Sequence, residues 1–312
     1  SQAFYDWAIT GGNLVKQSKL SVDLTTLNGW SNLSSGSHTI KLVAKGSGYR
    51  DSEKSEGVSV TKAAEVYTDC LTFTGESSEF TLAVGTAGAK EWDGTVYYST
   101  DHNTWNVWDG TAISSANKKL YLRGKNNTTF YTSKGARLSL SAKAGCSGNI
   151  QTLIDWESPP TSILATGCYR LMFAGCTNLT VAPDLPATTL QSSCYRFMFQ
   201  SCVNLITAPA LPATTLATNC YMDMFQSCTN LTIAPELPAT ILASFCYANM
   251  FNNCSNLKIS AAQDSTYKTA WRIPSSGTIS SEPSSWNGSM LQSTGGAFTS
   301  NPSINTTYYG AW

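Results

Sequence analysis

The sequence predicts two all-β sandwich domains followed by an α/β solenoid of 26-residue units and a C-terminal cap. Three observations carry that expectation. The dipeptide Cys-Tyr recurs at Cys168-Tyr169, Cys194-Tyr195, Cys220-Tyr221 and Cys246-Tyr247, each copy 26 residues after the last. Each is followed by Met-Phe and then by a second cysteine, at Cys176, Cys202, Cys228 and Cys254. Upstream of these copies, short apolar runs are separated by turn residues at the spacing of β-sandwich strands. A fixed period of this length marks units that bury their apolar faces only against their neighbours.

Residues 1–64 read as β-structure. Thr39-Ile40-Lys41-Leu42-Val43-Ala44 alternates, Gly46-Ser47-Gly48 is a turn, and Val58-Ser59-Val60 is the next strand. The segment from Ser37 to Ser52 resembles the end of a fibronectin type III-like or Ig-like sandwich, with Thr61-Lys62-Ala63-Ala64 as linker. Its first strands are atypical or truncated. The chain opens at Ser1, and Phe4-Tyr5-Asp6-Trp7 reads as a strand already under way, so a fragment of a longer protein is expected. The lack of targeting information then says nothing about location.

Residues 65–145 predict a second sandwich. Strands are expected near Leu71-Thr72-Phe73, Phe80-Thr81-Leu82, Val96-Tyr97-Tyr98, Leu120-Tyr121-Leu122 and Leu138-Ser139-Leu140. Turn signals at Asp93-Gly94, Asp109-Gly110 and Lys125-Asn126-Asn127 separate them.

Residues 146–260 predict the solenoid. In the copy from Leu190 to Cys202, apolar residues fall at offsets 0, 4, 5, 8, 9 and 12, a helical spacing. Thr188 or Thr189 supplies a hydroxyl to cap the helix start. Asn204-Leu205-Ile206-Thr207-Ala208 is short and extended, and Pro209 and Pro212 fit its exit. Each unit is expected to be one short strand plus one short helix. Residues 261–312 form the cap, with Met290-Leu291-Gln292-Ser293 and Gly295-Gly296 reading as a degenerate final turn.

The motif Cys-Tyr-x-x-Met-Phe-x-x-Cys-x-Asn-Leu with Ala-Pro-x-Leu-Pro-Ala-Thr resembles the BspA-type leucine-rich repeats of bacterial surface proteins. The likeness is to a cysteine-bearing variant of gut bacteria and their prophages. It covers roughly residues 146–260, with weaker likeness upstream at Leu71–Gly75, Tyr98–Asp101 and Leu120–Gly124. Downstream it takes in Tyr267, Trp271–Pro274 and Asn305–Tyr309. The first and last repeats depart from the pattern, as capped ends should. The resemblance implies a leucine-rich-repeat solenoid and a non-enzymatic role in host attachment or adhesion. The owner is then a phage tail or capsid fibre, or a bacterial surface adhesin, located outside the cell, on its surface or on a virion. A structural spacer or decoration module without a ligand of its own is the competing reading.

Composition bounds the partners. The chain has 20 basic and 20 acidic residues among 312, which leaves no basic footprint for nucleic acid or a membrane surface. No apolar run approaches the roughly 18–20 residues that span a bilayer, so membrane insertion is not expected. The expected partner is a cell-surface protein or glycan receptor. A homo-oligomer or a larger assembly stays open, since no heptad imposes either.

Ten cysteines raise disulfides and metals. The eight in the repeat read as buried reduced thiols in ladders, because eight helical residues put a pair about 12 Å apart. No metal is expected, since there is no Cys-x-x-Cys and no histidine nearby in sequence. Cys70 and Cys146 flank the second sandwich at strands that can lie side by side, and are expected to form a disulfide.

No cofactor or catalytic motif is visible: no Gly-x-Ser-x-Gly, no phosphate loop and no His-Glu-x-x-His. His38 and His102 lack an evident partner, and Asp155 with Glu157 reads as a cap or salt-bridge pair. Ser99 to Trp105 resembles a sialidase Asp-box one residue short, but it occurs once and reads as a tight hairpin. Trp92, Tyr97, Tyr98, Trp105 and Trp108 suit either a core or a sugar-stacking platform, with Trp105 and Trp108 as binding candidates. On the helix face, Arg170, Arg196, Gln200, Met222 and Gln226 are the candidate binding residues, since they point outward and differ between copies. Asp184, Ala210 and Glu236 occupy one slot on the strand side.

Overall fold

The computed structural model describes residues 36–40, 56, 58–62, 68–85, 92–131 and 137–312. The chain divides into two units, Ser1–Val66 and Tyr67–Trp312. In the first, β1 (Gly36–Ile40) pairs antiparallel with β2 (Val58–Lys62), Gly36 opposite Lys62 and Ile40 opposite Val58. The expected strand at Phe4–Trp7, the turn at Gly46–Gly48 and the rest of the first sandwich lie outside the described residues.

The second unit begins with alternating strands. They are β3 (Leu71–Gly75), β4 (Thr81–Val84), β5 (Thr95–Ser99), β6 (Asn106–Trp108), β7 (Ile113–Ser114), β8 (Lys119–Lys125), β9 (Leu138–Leu140), β10 (Ala144–Ser147) and β11 (Leu179–Val181). A six-stranded sheet runs β11-β10-β3-β8-β5-β6, and a smaller one runs β7-β4-β9. Leu71, Phe73, Val96, Leu120 and Leu122 of the first sheet share one core with Leu82, Val84, Leu138 and Leu140 of the second. Strand residues alternate in facing, so every second side chain reaches that core. Buried Asn127 ties the edges together: its amide oxygen accepts from Gly94 N at 2.7 Å, and its amide nitrogen donates to Thr95 O and Leu153 O.

The sheet does not stop where the repeats start. β10 pairs antiparallel with β3 and parallel with β11, Ala144 facing Leu179. Between them, Asn149 caps a 3-10 turn at Ile150–Leu153 by accepting from Gln151 N at 2.8 Å.

Past this junction the structure overturns the expected α/β leucine-rich-repeat solenoid. The chain is nearly all β, with no α-helix among the described residues. The Cys-Tyr segments are runs of tight turns instead. Arg170, Met172 and Ala174 donate their N–H groups three residues back, to Gly167, Tyr169 and Leu171 at 2.9, 3.2 and 2.9 Å. The residues between them, Tyr169, Leu171 and Phe173, donate to Cys194, Arg196 and Met198 of the next copy at 2.9, 3.1 and 2.9 Å. An α-helix would spend every N–H on the carbonyl four residues back. Every fourth residue also has positive φ: 167, 171 and 175 in one copy, then 193, 197 and 201, then 219, 223 and 227, then 245, 249 and 253. A right-handed helix excludes such residues. Offsets of 0, 4, 5, 8, 9 and 12 fit a turn repeat of period four as well as a period of 3.6, which is why the pattern imitated a helix. Thr188 and Thr189 therefore have no helix to cap, and Thr189 instead bridges to Ser162 and Thr215.

Identical side chains stack from copy to copy. Tyr169, Tyr195, Tyr221 and Tyr247 lie 5.8, 5.9 and 5.9 Å apart, nearly parallel. Phe173, Phe199, Phe225 and Phe251 follow at 5.5, 5.6 and 5.8 Å. The thiols of Cys202, Cys228 and Cys254 each donate to the carbonyl of Phe173, Phe199 and Phe225 in the preceding copy at 3.0 Å. Both ends of the stack are closed. Phe130 stacks on Tyr169 at 6.0 Å, and Trp286 meets Tyr247 edge-on at 6.2 Å. Tyr247, Asn249, Phe251 and Asn253 donate to Trp286, Gly288, Met290 and Gln292, so the degenerate final turn completes the last layer. A three-stranded sheet of β12 (Ile259–Ser260), β14 (Thr307–Gly310) and β13 (Thr269–Arg272), in that order, finishes the chain.

Candidate functional site

Two regions gather polar and aromatic side chains at the surface of the second unit. The first lies along the turn face of the repeats. Arg170 and Arg196 sit in adjacent copies, where Leu171 N donates to Arg196 O. The Arg170 guanidinium lies 4.9 Å from the ring of Tyr131 and 6.0 Å from that of Phe197. Arg196 lies 4.6 Å from Phe197. Stacking uses the flat face of a guanidinium, and its N–H donors lie in that plane rather than against the ring. The Nε atoms of both arginines are buried without a hydrogen-bond partner, and Arg196 Nε stands 4.0 Å from Asp223 Oδ2. Burial raises the Asp223 carboxyl above its ordinary value, against the lowering effects of Asn249 and Arg196.

The other candidates on this face are more structural. Gln200 Nε2 donates to Gln226 Oε1, so these two amides hold one another. Met222 is half-buried one copy beyond Arg196. Phe197 and Tyr131 were not singled out from sequence. Phe197 holds a slot filled by Leu171, Asp223 and Asn249 in the other copies, and that variability is the signal that could have found it. On the strand side Asp184, Ala210 and Glu236 are all exposed, beside exposed Val181, Ile206 and Ile233.

The second region lies across the strand order β3-β8-β5. Thr72, Tyr121 and Ser99 form one row in register. At the hairpin between β5 and β6, Asp101 accepts from Thr104 N, Asn103 N and Ser99 Oγ at 2.8, 2.9 and 2.9 Å. Those donors, the Thr104 amide foremost, hold the carboxyl down at about 2. The Asp-box-like stretch is thus the tight hairpin expected, and it sets His102 at its tip with φ +60°. His102 Nε2 lies 3.2 Å from Asp69 Oδ1, and Arg123 Nη1 lies 3.5 Å from Asp69 Oδ2. Arg123 is held between the rings of Trp105 and Trp156, 3.8 and 3.9 Å away. Trp105 is thus occupied by Arg123 on one face. Trp108 is a core residue, stacked on Trp92 at 5.2 Å and donating to Thr111 O, which removes it from any binding surface. Close by, Lys125 bridges Asp155 and Glu157 at 3.0 and 2.7 Å, the salt-bridge role expected of that pair.

The cysteines separate into a confirmed and a corrected part. All eight repeat thiols are free and buried. Cys70 and Cys146 are also free, so the expected disulfide is absent. Their strands do pair, but Cys146 faces Phe73, three residues beyond Cys70. That offset is about 10 Å along a strand, outside the reach of a disulfide.

Comparison with family models, with curated proteins and with solved structures returned no match. No helix among the described residues is long and apolar enough to cross a membrane.

Proposed function

We propose that this protein is a non-enzymatic surface-binding module that serves attachment or adhesion, displayed on a cell surface or virion. The face formed by Tyr131, Arg170, Phe197 and Arg196 is its contact site for a cell-surface protein or glycan. One observation carries this reading. The stacked core is the same in every copy, Tyr, Phe and paired Cys, while the face above it changes from arginine at 170 and 196 to Met222 and Ala248. Packing fixes the first set and leaves the second free to be chosen for a partner. A scaffold closed at both ends by Phe130 and Trp286 presents that face rigidly, which limits the ordering cost of binding.

The test is the double change Arg170→Ser and Arg196→Ser, assayed for binding to cells and to a glycan array. Each change removes a stacked guanidinium, a loss of about 0.5–1 kcal/mol in stability, small enough to leave the fold intact. Binding should be abolished. Undiminished binding by a folded double variant would move the site to the strand side, around Val181, Ile206 and Ile233. Absence of binding by the unmodified protein to any surface would favour a spacer role.

A further inference from the structure

We propose that Asp69, Cys70 and His102 form a binding site for a divalent transition-metal ion, zinc by preference. Histidine and cysteine are 32 residues apart in sequence, which hid the site, but strand pairing closes the distance. β3 and β5 both pair with β8, and His102, in the hairpin after β5, sits against Tyr121 of β8 with its Nε2 3.2 Å from Oδ1 of Asp69, two residues before β3. There the carboxylate, thiol and imidazole ligand atoms all lie within 4.8 Å of one another. The carboxylate and imidazole atoms are already 3.2 Å apart, the separation of two ligands on a small cation. A tetrahedral site with metal bonds of about 2.0–2.3 Å needs only a small inward movement of the sulfur.

The chemistry of the donors selects the ion. One oxygen, one nitrogen and one sulfur suit zinc or a neighbouring first-row metal and do not suit calcium or magnesium, which demand oxygen. Zinc with one carboxylate and one thiolate is charge-neutral at the site. Cys70 gives up its thiol proton to solvent as the metal–sulfur bond forms. Three protein ligands leave a fourth position, and it faces outward, because Asp69 and His102 keep 32% and 24% of their side-chain surface while Cys70 is buried.

Each ligand also has a neighbour that fixes it, as metal ligands usually do. Arg123 contacts the far oxygen of Asp69 and is itself held by two tryptophans. The His102 ring is set edge-on against Trp105 and Tyr121, 5.6 and 5.2 Å away. The Cys70 sulfur lies 3.9 Å from the Thr72 hydroxyl. His102 reaches this position from a left-handed backbone, a conformation that non-glycine residues hold where the surroundings require it.

Cobalt(II) and zinc(II) titrations of the full chain, stripped with a chelator, test the site. Cobalt should bind one per chain and give a thiolate-to-cobalt charge-transfer band, which zinc then removes by displacement. Cys70→Ser should lose the band. His102→Asn, chosen because asparagine tolerates the left-handed backbone, should weaken zinc binding about tenfold or more, and Asp69→Asn likewise. Should Cys70→Ser fail to fold, the two rim variants decide. No charge-transfer band in the unmodified protein, or zinc affinity unchanged in both rim variants, overturns the proposal. Cell attachment plays no part in these readings.

Discussion

The rings of Tyr195 and Tyr221 lie 5.9 Å apart and 2° from parallel, in consecutive copies of the repeat. The backbones of these copies are hydrogen-bonded as well, Tyr195 N donating to Cys220 O at 3.0 Å. A tyrosine ladder of this kind is apolar along its length, so the hydroxyl groups are its weak points. Tyr169 at the start donates to Gln151 Oε1 at 2.5 Å, while the Tyr195 hydroxyl is buried without a partner.

That difference predicts opposite results from one substitution. Tyr169→Phe should cost about 1–3 kcal/mol, because it leaves the side-chain oxygen of buried Gln151 without its donor. Tyr195→Phe should be neutral or slightly stabilising, because it deletes a polar group with an unmet bond. Chemical denaturation of both variants checks the pair. Equal losses would show that the Tyr195 hydroxyl has a partner.

The buried thiols predict alkaline unfolding. Burial pushes Cys194, Cys246 and Cys254 up to about 12 from an ordinary 9.0, and Cys176 to about 11. These groups stay neutral in the fold at a pH where the unfolded chain ionises. Their contribution is therefore complete below about pH 9 and is lost as pH rises from there towards 12. Each thiol should lower stability by about 1.4 kcal/mol per pH unit in that window. Denaturation at pH 8 and pH 10 should show a drop of several kcal/mol, and Cys194→Ala should shrink it by one thiol's share. At pH 8 a thiol reagent should react slowly with the native protein and rapidly once it is unfolded.

Sequence made the contents of the core legible but not its backbone. The apolar offsets from Leu190 mark Cys194, Tyr195, Met198, Phe199 and Cys202, and all are buried. Their spacing left helix and period-four turn undecided, and the deciding signal was the turn-forming residues at every fourth position, such as Gly167 with Gly175 and Asn249 with Asn253. Phe197, Leu171 and Phe245 obscured it, since bulky residues rarely take positive φ. Arg170 and Arg196 were visible as candidates because they vary against a repeated core. Asp69 and His102 were not, because only the register of β3, β8 and β5 brings them together.

Asp223 is a place where the fold tolerates an unfavourable charge. It is buried at φ +58°, and its carboxyl is raised by that burial. A carboxyl with a raised folded value stabilises only at low pH, and that contribution is lost as pH climbs through the folded value. Asp223→Asn removes this penalty and suits the left-handed backbone, as Asn249 does one copy later. The contact it gives up, with Arg196 at 4.0 Å, is long. The variant should gain about 0.5–1 kcal/mol at pH 7 and vary less between pH 4 and 7. A destabilised variant would mean that the Arg196 contact outweighs the burial cost.

The last layer of the stack depends on glycine for its approach. Gly295 N donates to Leu257 O at 3.0 Å, and a methyl group on Gly295 would stand 1.8 Å from Ser255 O. On Gly296 it would stand 2.2 Å from Ile259 N. Both obstacles are backbone, so no side chain can swing aside. Nearby, Thr294 takes the slot held by cysteine in earlier copies and donates to Leu291 O at 2.9 Å, which fixes the turn that brings the glycines in. Gly295→Ala should therefore push residues 285–296 away from Tyr247 and Phe251, at a cost of about 3 kcal/mol. Limited proteolysis of this variant should cut within 285–312 first, while residues 146–254 stay protected. Cleavage no faster than in the unmodified protein would show that the final layer is held by Trp286 and Met290 rather than by this backbone contact.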